Sequence, residues 1–232
     1  MTEDCITYGN TVIRYAVAYT ERRTLGITVS PGGEIQVKAP LDATTDRIRE
    51  KVHKRAGWIL KQQRFFLSFG EPTPPRRYVS GEAHLYLGRH YQLRVTDGRP
   101  NTVKYKGRYF EIVCTPKSKA GELMKAWYRE RAKQKYAEIA EPLIQRFKRH
   151  GAEPASIYIQ EMENRWGSCT PKGKIILNAE LIKAPRPCIE YVITHELCHL
   201  IHRGHTAAFY ELLGTEMPDW KKWKDKLEVI MR

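Results

Sequence analysis

Residues 195–205 read His-Glu-Leu-Cys-His-Leu-Ile-His-Arg-Gly-His. Histidines four residues apart on a helix stand one above the other, with Cβ atoms roughly 5–6 Å apart. His195 and His199 can therefore reach one tetrahedral ion. Glu196 projects beside such an ion, where a carboxylate takes a proton from water rather than ligating, the role of a general base. A third protein ligand would leave one coordination position for water and substrate. His202 and His205 compete for it. His202 shares the helical face but is seven residues from His195, about 10.5 Å of axial rise, too far for both to bind one metal on one continuous helix. Gly204 can end the helix in a left-handed conformation and turn the chain back, which favours His205. The expected Zn²⁺ ligands are His195, His199 and His205.

The chemistry this set performs best is hydrolysis of a peptide bond, with one Zn²⁺ acidifying water and Glu196 moving the proton. A donor for the developing oxyanion is also needed, and Arg165, His202 and Tyr210 are candidates that spacing does not rank. Two rival readings remain. One is a nucleoside triphosphate pyrophosphatase whose Lys and Arg residues clamp phosphates, although Mg²⁺ chemistry prefers oxygen ligands and there is no Gly-rich phosphate loop. The other is a basic nucleic-acid-associated protein with a protease site.

The elements around the motif must hold it still. Apolar residues at 189, 192, 193, 197, 200 and 201 predict a helix buried beside its histidine face, entered at Pro185 and Pro187. Cys198 reads as a small packing residue. Upstream, Ile157–Ile159 and a hairpin of 164–169 and 174–178 around Thr170-Pro171-Lys172-Gly173 place a strand beside the helix. An edge strand there can hold an extended peptide by main-chain hydrogen bonds. Downstream, Phe209, Leu212, Leu213, Trp220, Trp223 and Leu227 predict helical segments broken at Pro218.

The remainder divides at a boundary expected near residue 115. Residues 1–115 read as a β-rich subdomain: strands at 12–18, 26–29 and 34–39, the last two a hairpin, then a helix capped at Thr44-Thr45-Asp46 and ending near Phe69-Gly70. After a linker at 72–77, strands at 85–87, 91–95, 103–105 and 109–113 predict a meander. Residues 116–232 read as the catalytic subdomain, opening with an amphipathic helix over 120–149 that Pro142 kinks or divides. The fold class expected is α+β, and no internal repeat is evident.

Forty Lys and Arg against 26 Asp and Glu give a net charge of +14, which favours polyanionic partners such as nucleic acid or nucleotides. No apolar run approaches the roughly 18 residues of a membrane span. The first residues lack the basic-then-apolar order of a secretory signal, and five cysteines contain no Cys-x-x-Cys pair. A cytoplasmic protein is expected.

Asn164-Arg165-Trp166-Gly167-Ser168-Cys169, Leu177-Asn178, the 195–205 motif, Phe209 and Met217-Pro218-Asp219-Trp220 together resemble the YgjP-like metallopeptidase family, relatives of the SprT-like zinc proteases. Arg22-Arg23-Thr24-Leu25, Val37-Lys38-Ala39-Pro40, Trp58-Ile59 and Leu87-Gly88-Arg89-His90-Tyr91 fall in the same order, extending the resemblance along nearly the whole chain. It implies metal ligands at His195, His199 and His205, a catalytic Glu196, a zincin-like subdomain and a peptide or protein substrate. Some members are described as nucleoside triphosphate pyrophosphatases.

Overall fold

The computed structural model describes residues 2–30, 32–67, 76–162 and 165–230. The fold is α+β, as expected, and it separates into two compact units, Met1–Pro74 and Pro75–Met231.

The first unit is a four-stranded sheet with one helix. β1 (Thr2–Tyr8), which the sequence reading did not anticipate, pairs antiparallel with β2 (Thr11–Tyr19); β3 (Gly26–Val29) and β4 (Ile35–Ala39) form the expected hairpin. The order is β1-β2-β4-β3, so β2 and β4 run parallel at its centre. Strand alternation sends Ile13, Tyr15, Val17, Ile35 and Val37 to one face. α1 (Thr45–Leu67) covers it with Ile48, Val52, Ala56 and Ile59, all at most 1% exposed and recurring at helical spacing. Thr44 Oγ1 accepts the Arg47 N–H at 3.4 Å, the predicted cap. Beside this core, Arg49 holds Asp4 through two hydrogen bonds of 2.9 and 3.1 Å, and the Tyr15 hydroxyl donates to the same carboxylate.

The second unit opens with another four-stranded sheet: β5 (Ala83–Tyr86), β6 (Arg89–Thr96), β7 (Thr102–Lys106) and β8 (Tyr109–Val113). Its order is β5-β6-β8-β7 with β6 and β8 parallel, so the expected meander is incorrect. The β7–β8 hairpin turns over as one piece and inserts its second strand beside β6. The same wiring as in the first unit is thus repeated, again followed by a helix.

That helix, α2 (Ala120–Phe147), runs through Pro142 as one element rather than dividing there. Proline removes one N–H, but buried Ile139, Ala140, Leu143 and Phe147 hold the turns on both sides. Tyr128 donates to the Leu85 carbonyl at 2.6 Å and Tyr136 to that of Asn178 at 2.9 Å, so one helix ties this sheet to the site region. Phe110, Ile112, Met124, Val192 and Leu197 share one core. The boundary expected at 115 therefore cuts through packed residues, and the compact units part at 74 instead.

The remainder is a three-stranded sheet, β9 (Ser156–Gln160), β10 (Gly167–Cys169) and β11 (Lys174–Asn178), in the order β10-β11-β9. A 3-10 turn, Ala179–Lys183, leads to helices α3 (Arg186–Ile201), α4 (Ala207–Glu216) and α5 (Trp220–Ile230), with the predicted break at Pro218. Among the described residues no helix is long and apolar enough to cross a membrane.

Candidate metal centre

α3 carries the first two histidines. Pro185 precedes it and Pro187 lies in its first turn, positions where a missing N–H costs nothing. Ile189, Val192, Ile193 and Leu197 anchor it in the core, and His195 and His199 emerge one turn apart with ring centroids separated by 4.9 Å.

The helix does not end through a left-handed Gly204, as the sequence suggested; positive φ is not found there. It ends at Ile201, three residues earlier, because His202 turns extended (φ −117°, ψ 106°) while its N–H still bonds the Cys198 carbonyl at 2.9 Å. That turn brings the His202 carbonyl to 3.0 Å from His199 Nδ1. A carbonyl only accepts, so Nδ1 carries the proton and Nε2 keeps its lone pair, which fixes the tautomer a ligand requires. The chain then doubles back. Arg203 donates to the Pro171 carbonyl at 2.8 Å, and Thr206 caps α4 by accepting the Phe209 N–H at 3.4 Å.

The result places His205 against both helical histidines, with ring centroids 5.0 Å from His195 and 4.7 Å from His199. One donor nitrogen from each of the three lies within 4.8 Å of the others, and the Nε2 atoms of His195 and His205 stand 3.0 Å apart. Three nitrogens on a tetrahedral zinc with bonds of 2.0–2.1 Å are roughly 3.3 Å apart, so this donor set fits such an ion with small adjustments. Burial and the neighbouring imidazoles push His195 down to about 3, and His199 is lowered mainly by burial. Both rings are therefore neutral at physiological pH, the form that ligates. Phe209 stands under all three, its ring centroid 4.9, 4.6 and 4.9 Å from those of His195, His199 and His205. Fully buried, it acts as a floor.

Glu196 is 5% exposed, and burial raises its carboxyl to about 7, with the positive charge of Arg165 opposing the rise. Its nearest wall is β10. A Cβ built on Gly167 would lie 2.6 Å from Glu196 Oε1 and 2.8 Å from Cγ, so only a glycine admits the carboxylate at this distance. β10 is an edge strand, paired on one side with β11 at Gly167↔Leu177 and Cys169↔Ile175, which matches the edge expected beside the motif. Asn178 supports the approach to it, donating to the carbonyls of Met162 and Arg165 at 2.7 and 2.9 Å.

The remaining expectations resolve differently. Cys198 is fully buried with its thiol pushed up to about 12, an inert packing residue. Of the three oxyanion candidates, Arg165 is exposed and its charge reaches Glu196, His202 contributes its backbone carbonyl, and Tyr210 stacks on His205. Asn164 lies outside the described residues. Helical spacing already marks Phe209 in a downstream segment able to floor the site, and turn signals place Gly167 in the hairpin; what spacing gives no hint of is how closely Gly167 approaches Glu196.

Comparison with protein families finds that residues 23–229 match the model described as YgjP-like, metallopeptidase domain. Comparison with curated proteins finds no match.

Proposed function

We propose, from the premise that the chain belongs to the YgjP-like metallopeptidase domain family, that it is a zinc-dependent peptidase whose ligands are His195, His199 and His205 and whose general base is Glu196. A metal-dependent peptidase is the general class that membership gives; the metal, the residues and their roles are this proposal. The observation that carries it is the convergence of three imidazole nitrogens within 4.8 Å on helix α3 and its C-terminal loop.

When bound, Zn²⁺ would supply a Lewis acid that acidifies water and polarises the scissile carbonyl. The protein does the rest. Glu196, with its carboxyl raised to about 7, accepts the proton from the attacking water and returns it to the leaving amine. The free edge of β10 binds the substrate backbone in extended form, placing the carbonyl beside Glu196. Arg165, whose positive charge is felt by this carboxylate, serves the oxyanion. The nitrogen donor set suits Zn²⁺ and not the oxygen-liganded Mg²⁺ of phosphate hydrolysis, which favours peptides over nucleoside triphosphates.

Glu196→Gln tests the assignment. The variant is expected to hold one Zn²⁺ per chain by metal analysis while cleavage of unfolded protein falls by about 10²–10⁴-fold, the range for loss of an acid–base group. Undiminished turnover would remove Glu196 as base. Chelator-sensitive hydrolysis of nucleoside triphosphates without peptide cleavage would replace the substrate class.

A further inference from the structure

The three imidazoles are held in unequal ways. His195 lies within α3, between the rings of Tyr191 and Phe209. His199 is locked by the His202 carbonyl. His205 sits in the loop between helices, is exposed, and has one hydrogen-bond partner among the described residues, the Nε2 of His195. Bound metal would replace that contact, since both nitrogens would then point at the ion. What orients His205 is therefore something other than a hydrogen bond.

An aromatic ladder is placed to do it. Tyr210, in the first turn of α4, lies nearly parallel to His205, with centroids 6.1 Å apart and an interplanar angle of 25°. Trp220, at the start of α5, backs Tyr210 at 5.5 Å and 21°. Tyr191 backs Trp220 at 6.3 Å and 12°. Tyr191 is on α3, one turn before His195, so the ladder leaves the motif helix, passes through two further helices and returns to the loop histidine. Tyr210 is 43% exposed, so part of its ring meets solvent while the ring stacks on His205 and Trp220.

We infer that Tyr210 is a positioning residue: its ring face, backed by Trp220, orients the His205 imidazole toward the other two, and its hydroxyl takes no part. This rests on the ligand assignment proposed above. It also withdraws Tyr210 from the oxyanion candidates.

The test is metal affinity of the full-length chain, measured by competition with a chromophoric chelator, with apo-protein melting recorded alongside. Tyr210→Leu keeps apolar bulk but removes the ring face; it is expected to weaken Zn²⁺ binding about threefold to tenfold, the scale of a lost aromatic pair, with apo melting unchanged. Tyr210→Phe keeps the face and is expected to bind as the parent does. In the Co²⁺-substituted protein, the Leu variant alone should show an altered visible ligand-field spectrum, because ligand geometry and not stability has moved.

Parental affinity in the Leu variant would overturn the inference. So would a Phe variant as weak as the Leu one, since the hydroxyl would then be the acting group. A parent chain that binds no Zn²⁺ would remove the ligand assignment and this inference together. Tight binding through the three histidines without peptide cleavage would remove the peptidase reading and leave Tyr210 in place.

Discussion

The chain builds the same four-stranded sheet and following helix twice, and uses the two copies in opposite ways. In the first, β1-β2-β4-β3 and α1 enclose their own core, from Ile13 and Val37 to Ile48 and Val52. In the second, β5-β6-β8-β7 and α2 share a core with α3, so Phe110 and Leu197 belong to one cluster. The corresponding turns show the divergence at a single residue. Gly9 joins β1 to β2 at φ +58°, and none of the described residues lies within 4 Å of an added Cβ. Gly88 joins β5 to β6 at φ +77°, but an added Cβ would lie 2.6 Å from Pro185 Cγ, at the entry to the motif helix. Leu87 and Gly88 also donate to the carbonyls of Ile182 and Lys183 just before it. One wiring can thus close on a core of its own or serve as a buttress, and the side chains on its rim decide which.

The contrast breaks most sharply in the cores. Phe110→Ala should cost about 3–5 kcal/mol and lower metal affinity with it, whereas Ile48→Ala should cost about 2–5 kcal/mol and leave metal binding at the parental level. Calorimetry with metal titration reads both, and loss of metal binding in Ile48→Ala would erase the distinction. The turns give a smaller effect. Gly9→Ala carries only the strain of its positive φ, about 1 kcal/mol. Gly88→Ala adds displacement of Pro185, for a total of roughly 2–4 kcal/mol by chemical denaturation, accompanied by weaker Zn²⁺ binding. Equal costs would mean that the second turn does not brace the site.

Acid provides the mildest probe. The Arg49 guanidinium lowers Asp4 from 3.8 to about 2. A carboxyl depressed on folding stabilises fully above its unfolded value and ceases to do so as pH falls through the folded one. The first unit should therefore lose under about 1 kcal/mol between about pH 4 and pH 2, and Asp4→Asn should abolish that slope. An unchanged slope in the variant would assign it to other carboxylates.

Much of this arrangement could be read from residue order, and the failures have physical causes. The buried stripes of α1, α2 and α3 and the convergence expected of His195, His199 and His205 follow from periods of 3.6 and from ligand spacing. β1 escaped because Thr2–Tyr8 alternates polar groups on both faces, with Ile6 its one buried residue. The duplication escaped because strand order resides in nonlocal pairing and the copies share almost no residues. The turn at His202 escaped because glycine is the usual signal for a helix stop, whereas here a side chain needing an acceptor bends the backbone toward itself.

That bend couples two parts of the centre. The peptide plane after His202 presents its oxygen to one ring and starts the short path to another, so a rotation of this plane alone would release His199 and redirect His205 together. The second and third imidazoles therefore share a common mechanical fate, and lengthening the stretch from Arg203 to Thr206 by even one residue would disturb both.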